Sequence, residues 1–246
     1  MPDDTAVPSW SRVLTEALAL YLLWTAATYL LEGRLLTLLR PEATAARVAY
    51  AVGANLLIGI GGAAWVLRRF VRRGVLTPKG AGLRHVGRTA ASLGAGLGLG
   101  LVLYGIQPSA MWDPVVVLNG FAQVLVTSIA EVLVCWAVVG GACYAALHRR
   151  FGSRVALTGA AVVASALFGL YHFAHSPPYN TLDMVVLLSG VGLGTSVFYF
   201  AAREVYGTIV LHALMGLYSV TASLNDFEAL ATFQQVQRPL LAMAAA

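Results

Sequence analysis

Seven apolar stretches, each long enough to cross a lipid bilayer, determine what this chain can fold into. They lie at Val13–Leu31, Val48–Leu67, Thr89–Ile106, Phe121–Leu147, Val155–His175, Met184–Ala202 and Tyr206–Ala222. About 20 apolar residues in a helix span the hydrocarbon core of a bilayer. Within lipid every backbone N–H and C=O group needs a partner, and a helix supplies those partners within one segment. The pattern therefore predicts an all-α fold, a polytopic transmembrane helix bundle with about seven spanning helices.

Composition indicates the same class of protein. Apolar residues make up 59% of the chain and charged residues only 11%, whereas soluble domains carry about 25% charged residues. We therefore expect one membrane-embedded domain over residues 1–246. The net charge of +5 comes mainly from arginines in loops beside apolar stretches, so it predicts membrane topology and the lipid bilayer as partner, and no nucleic acid.

The basic loops predict an orientation. The segment between the second and third stretches, residues 68–88, contains seven basic residues and no acid, and Arg149, Arg150 and Arg154 follow the fourth stretch. In a seven-helix bundle these loops lie on one side, and the positive-inside rule places that side and the amino terminus in the cytoplasm. Abundant arginine, alanine and leucine with a single lysine favour a bacterial protein of the cytoplasmic (inner) membrane.

Three polar side chains inside the apolar stretches suggest chemistry. Glu131 is the only charged residue in its stretch, and His172 and His212 lie in two later ones. A carboxylate at mid-membrane costs about 2.5–3.5 kcal/mol on insertion scales, so it indicates a functional site. Helical rise places Glu131 and His212 at similar depth, each about 15 Å from one helix end. His172 lies only three residues before His175, so it joins them only if its helix tilts or extends.

The same residues occur in three short motifs. Phe168-Gly169-Leu170-Tyr171-His172 has the form F-x-x-x-H, Glu131 precedes it on an earlier stretch, and His212 follows on a later one. In this order they resemble the motifs of the CAAX-protease and bacteriocin-processing (CPBP) family of intramembrane proteases. The resemblance places a catalytic core at about residues 114–223, whereas the amino-terminal helices over residues 13–106 carry no diagnostic motif.

The chain departs from the family pattern at three positions. Where the family has E-E-x-x-x-R, Glu131 matches the first glutamate, but Val132 and Trp136 replace the second glutamate and the arginine. Gly216 replaces the asparagine of the motif H-x-x-x-N. Replacement of both partners of a buried ion pair is tolerable, whereas removal of only one partner leaves an uncompensated charge. An alternative register would make Glu131 the second glutamate and Ala130 the lost first one.

The resemblance implies an intramembrane endopeptidase. It gives Glu131 the role of general base, His172 that of positioning the water, and His212 that of stabilising the oxyanion. No cofactor is required in this glutamic mechanism. Zinc is the alternative, because Glu131, His172 and His212 would suit a catalytic zinc ion, with His175 as a further candidate ligand. The substrate would be a membrane protein, such as one with a lipid-anchored or sorting tail.

Two other functions remain open at this point. A catalytically inactive or weakened family member could act as a binding or sorting factor for membrane proteins, and the three lost motif residues favour that hypothesis. A proton-coupled transporter could also use a buried acid and histidine. The chain shows no repeat halves of the kind many transporters have.

Overall fold

The chain folds into a bundle of long helices. The computed structural model describes residues 9–33, 44–83, 86–106, 114–177 and 179–223. It is 89% helical, and the described residues contain no strand, which confirms the predicted all-α class. The α-helices are α1 (Trp10–Thr28), α2 (Thr44–Ala49), α3 (Gly62–Arg72), α4 (Val86–Gly105), α5 (Pro114–Glu131), α6 (Gly141–Tyr171), α7 (Leu182–Ala202) and α8 (Val205–Ser223).

π-Helical segments extend several of these helices within the described residues. Tyr29–Gly33 continues α1, Tyr50–Gly61 joins α2 to α3, and Val132–Gly140 joins α5 to α6. The last of these begins directly after Glu131. Such wider turns occur often at functional sites. A short 3₁₀ turn, His172–Ala174, ends α6.

Within the described residues, five helices are long and apolar enough to cross a membrane: Trp10–Glu32, Ala45–Arg72, Val86–Gly105, Gly120–Ala174 and Leu182–Ala202. Val205–Thr221 is a shorter apolar helix. The longest helix bends at Gly152, whose φ of 80° and ψ of 175° are not helical. This bend lies at the break that the sequence predicted between the fourth and fifth apolar stretches. The protein is thus an integral membrane protein.

Large apolar side chains on the outside of the bundle fit a lipid environment. Leu22, Leu57 and Val186 are each more than 60% exposed. The interior is a dense cluster in which Trp24, Trp136 and Tyr171 are at most 1% exposed. This cluster lies around the segment that follows Glu131.

Glycines allow α4 and α8 to approach closely. A Cβ on Gly96 would clash with the backbone of Gly207, and one on Gly100 would clash with Leu214. Gly94 and Gly98 would meet nothing within 4 Å. Residues four apart share one face of a helix, so Gly96 and Gly100 form the contact and Gly94 and Gly98 do not.

A second buried carboxylate, Glu204, joins α4 to α8. It is 0% exposed and accepts hydrogen bonds from Ser92 Oγ at 2.6 Å, Thr89 Oγ1 at 3.2 Å and the Gly207 backbone N–H at 2.8 Å. Because Glu204 directly precedes α8, its carboxylate also satisfies a free N–H of the first turn.

Replacement of Glu204 by alanine is expected to destabilise the protein by about 3 kcal/mol, because buried donors are left without an acceptor. Thermal unfolding in detergent micelles measures the change. Asp183→Ala is the matched control, since Asp183 is exposed in the first turn of α7. An unchanged melting temperature for Glu204→Ala would contradict the assigned role.

Candidate functional site

Glu131 and His212 are in direct contact. Glu131 is the last residue of α5 and is 6% exposed, and His212 lies in the middle of α8 and is 4% exposed. Glu131 Oε2 lies 3.0 Å from His212 Nε2. The equal depths inferred from the sequence therefore correspond to a hydrogen-bonded pair.

His172 completes the group from the 3₁₀ turn after α6. Its Nε2 lies 3.9 Å from Glu131 Oε1, and its Nδ1–H donates to the Phe168 carbonyl at 2.8 Å. The bond to Phe168 sets the ring orientation. The structure thus brings His172 to the site although its place near the end of the apolar stretch suggested a shallower position.

The gap between Glu131 and His172 suits a water molecule. Since Nδ1 of His172 carries the proton given to Phe168, Nε2 of the neutral ring is an acceptor. Two acceptors that face each other at 3.9 Å cannot bond directly, but one water between them can donate a hydrogen to each. Such a water would lie to one side of the line that joins the two atoms and would satisfy both of them.

Thr195 holds the other side of the His212 ring. Its Oγ1 lies 3.2 Å from His212 Nδ1 and donates to the Val191 carbonyl at 3.2 Å. A hydroxyl has one hydrogen, so Thr195 Oγ1 accepts from His212 Nδ1–H when it donates to Val191. The remaining nitrogen, Nε2, then shares one proton with Glu131, whichever of the two groups holds it.

Aromatic rings enclose the two histidines. The Phe168 ring lies edge-on to His172 and His212, with centroids 4.7 Å and 5.0 Å away. The Trp136 ring lies 5.3 Å from that of His212, and its Nε1–H donates to Ser196 Oγ at 2.7 Å. Trp136, at the position of the family arginine, therefore packs against the site with its one polar group satisfied.

His175 belongs to a neighbouring network. Its ring stacks on that of His172 with centroids 5.0 Å apart, and its Nε2 lies 3.2 Å from the Tyr50 hydroxyl. Tyr171 Oη in turn lies 3.1 Å from Tyr50 Oη and 3.1 Å from Thr28 Oγ1. His175 thus packs against the face of the His172 ring.

The amino-terminal helices hold the segment that carries His172. Glu32, 3% exposed, accepts from the Ser176 backbone N–H at 2.7 Å. Asn55 accepts from Trp24 Nε1 at 3.1 Å and donates to Thr127 Oγ1 at 3.3 Å. None of these residues belongs to a motif in the sequence. Their signal was polarity within an apolar stretch, the same property that identified Glu131.

The described residues do not form a metal site by geometry. Glu131, His172 and His212 are donors that zinc uses, but no group of three His, Cys, Asp or Glu side chains in the described part of the chain is arranged to hold a metal ion. Glu131 and His212 instead bond to each other. The chemistry available without a metal is that of a carboxylate and two imidazoles.

Fold and site together define an integral membrane protein with a buried carboxylate–imidazole centre. Residues 113–218 match the family model of the type II CAAX prenyl endopeptidases, described as Rce1-like. The matched segment contains Glu131, His172 and His212, and the match confirms the resemblance to the CPBP family that the sequence motifs suggested. This family is one of membrane proteases. No curated protein and no solved structure matches the chain significantly.

Proposed function

We propose that the protein is an intramembrane endopeptidase that cleaves a membrane-associated protein by means of a water activated at Glu131. The observation that carries the proposal is the buried Glu131 carboxylate between His212, at 3.0 Å, and His172, at 3.9 Å. An acid and an imidazole beside a water site are the groups that general base catalysis requires. The match to a protease family over residues 113–218 supports the same reaction class.

The reaction begins with a water between Glu131 Oε1 and His172 Nε2. Glu131 accepts a proton as the water oxygen bonds to the scissile carbonyl carbon, which gives a tetrahedral intermediate with a negatively charged oxygen. Collapse of the intermediate breaks the C–N bond. The proton held by Glu131 passes to the leaving nitrogen, and the products are a carboxylic acid and an amine.

His212 is better placed to support Glu131 than to stabilise the oxyanion. Both of its ring nitrogens are engaged, with Thr195 and with Glu131. An imidazole that shares a proton with a buried carboxylate keeps that carboxylate ready to accept a proton, because it offsets the cost of the buried charge. Donation to the oxyanion would require the loss of the 3.0 Å bond.

The substrate class follows from the location of the site. A carboxylate between apolar helices lies at the depth of the membrane, so we propose membrane proteins with lipid-anchored or sorting tails as substrates. The matched family is named for CAAX prenyl endopeptidases. A farnesylated CAAX peptide is therefore a reasonable first reporter.

The test is comparative proteomics of membrane-protein termini. Cells that lack the gene are complemented with the wild-type protein or with the Glu131→Ala, His172→Ala double variant. We expect one or more carboxy- or amino-terminal fragments to occur only with the wild type. Identical termini in both strains would refute proteolysis.

A non-catalytic role in binding or sorting membrane proteins is the second candidate. It is favoured by Val132, Trp136 and Gly216, which replace the glutamate, arginine and asparagine of the family motifs. In the same experiment, a double variant that restores the cellular role without restoring any cleavage would establish this alternative.

Replacement of Thr195 by valine is expected to lower kcat about 10- to 100-fold, the range found when a hydrogen-bond partner that orients a metal-bound imidazole is removed. The reason is that His212 Nδ1–H loses its acceptor and the ring can turn away from Glu131. Cleavage of a quenched peptide by purified protein measures the effect. Thr208→Val is the control, since the Thr208 hydroxyl donates to the Glu204 carbonyl outside the site. Wild-type activity in Thr195→Val would contradict the orienting role.

A further inference from the structure

Ser128 is a buried hydroxyl without a hydrogen bond. The residue is 0% exposed, and its Oγ has no partner among the residues that the structure describes. Buried polar groups are nearly always paired, because an unpaired one costs free energy. The exception therefore requires an explanation, and a donor kept free for a reacting group is one.

The position of Ser128 places it beside the proposed reaction centre. It lies three residues before Glu131 and so on a similar face of α5, about 4.5 Å away along the helix axis. On α8, Gly216 lies one turn after His212. A Cβ built on Gly216 would be 3.7 Å from Ser128 Oγ. Ser128 thus faces Gly216 one turn from the contact of Glu131 with His212.

The other identified donors at this centre are already engaged. His172 Nδ1–H is bonded to the Phe168 carbonyl, and His212 is bonded to Thr195 and Glu131. Yet the tetrahedral intermediate develops a negative oxygen, and hydrogen-bond donors aimed at that charge are a major source of rate enhancement. Ser128 offers an unengaged O–H group next to Glu131.

Gly216 is part of the reason that the Ser128 hydroxyl has no partner. A side chain at position 216 would clash with Val124 Cγ1, so Val124 occupies the space that a larger residue would need. Because residue 216 has no side chain, this position of α8 offers Ser128 Oγ no hydrogen-bond partner. Residue 216 itself has no side chain that could donate.

We propose that Ser128 donates its hydroxyl hydrogen to the oxyanion of the tetrahedral intermediate, in place of a side chain at position 216. This inference rests on the proposed proteolytic function and adds a catalytic residue to it. The hydroxyl donates only as the carbonyl oxygen becomes negative. Ser128 therefore contributes to the chemical step more than to substrate binding.

The first test replaces Ser128 by alanine in the purified full-length protein. A farnesylated, internally quenched CAAX peptide serves as reporter, together with any peptide that the terminal proteomics identifies. We expect kcat to fall about 100- to 1,000-fold with KM nearly unchanged, as for loss of one oxyanion donor. The melting temperature should stay the same or rise, because an unpaired buried hydroxyl is removed. Ser128→Thr, which keeps the hydroxyl, should retain more activity than Ser128→Ala.

Ser189→Ala is the matched control. The Ser189 hydroxyl donates to the Val185 carbonyl of its own helix and lies outside the site, so its loss should leave kcat unchanged. If Ser128→Ala cleaves as fast as wild type while Glu131→Gln is inactive, the role of Ser128 is refuted and the proposed function stands. If the wild-type protein cleaves neither reporter and produces no new termini, both fall.

The second test asks whether an amide can replace the hydroxyl. In the triple variant Val124→Ala, Ser128→Ala, Gly216→Asn, the smaller residue at 124 makes room for the asparagine. We expect at least about a ten-fold recovery of kcat relative to Val124→Ala, Ser128→Ala, a part of the roughly 100-fold or larger loss expected for one oxyanion donor. If the Val124→Ala, Ser128→Ala double variant already has wild-type activity, packing rather than hydrogen bonding accounts for the effect and the inference is wrong.

Discussion

Purified Glu131→Gln protein is expected to cleave its peptide substrate at least about 1,000 times more slowly than wild type. The substitution removes both general base catalysis by the carboxylate and the electrostatic contribution of its negative charge to the transition state. The amide has nearly the shape of the carboxylate but cannot accept the proton of the attacking water. It can still bond to His212, so the fold should persist. Kinetics in detergent micelles, with a melting temperature close to that of wild type, measure this difference.

Glu16→Gln is the matched control for this substitution. Glu16 pairs with Arg73 at 2.8 Å and with Arg69 at 3.4 Å, away from the histidines, so its replacement by glutamine should leave kcat unchanged. Retention of wild-type activity in Glu131→Gln would refute the proposed mechanism. Loss of wild-type activity on chelation, followed by recovery with zinc, would instead assign Glu131 and the histidines to a metal.

The sequence was sufficient to predict the helical bundle and the similar depth of Glu131 and His212. Both follow from hydropathy, because the position of a residue along an apolar stretch determines its depth in the membrane, and a buried acid requires a partner. The approach of His172 did not follow, because the depth estimate assumed a straight helix, whereas a 3₁₀ turn and a bond to Phe168 orient its ring. Local turns of this kind have no periodic signature.

Hydroxyl-bearing residues were the least predictable part of the site. Serine and threonine in apolar helices commonly bond to the carbonyl four residues earlier on their own helix, as Ser189 does. Their presence alone is therefore uninformative. Only tertiary contacts show that Thr195 holds His212 and that Ser128 has no partner.

The amino-terminal helices illustrate a different limit. They match no motif, yet Glu32 and Tyr50 contact the segment that carries His172 and His175. A motif identifies residues that react, whereas the residues that position them can be supplied by any neighbouring helix. Such positioning is visible only once the helices are packed together.

Trp136→Arg is expected to prevent accumulation of folded protein. Trp136 is 0% exposed and packs against Phe168 and His212 with ring centroids 5.2 Å and 5.3 Å away. A cation at position 136 would be buried without an acidic partner one turn away, because the residue there is Val132, which is equally buried. An unpaired buried charge costs about 3–5 kcal/mol, a large part of the roughly 5–15 kcal/mol that stabilises a typical domain.

The double variant Val132→Glu, Trp136→Arg tests whether charge or lost packing dominates. It restores the family pair four residues apart, so we expect it to accumulate better than Trp136→Arg but to unfold below wild type, because the packing of the indole is lost. Trp136→Phe is the control, since it keeps most of that packing and loses only the N–H bond to Ser196. Size-exclusion profiles and melting temperatures in detergent measure the order. If Trp136→Arg is as stable as wild type, groups already present in the site compensate a cation at this position. The cost of an unpaired charge would then not explain why the glutamate and the arginine of the family motif are lost together.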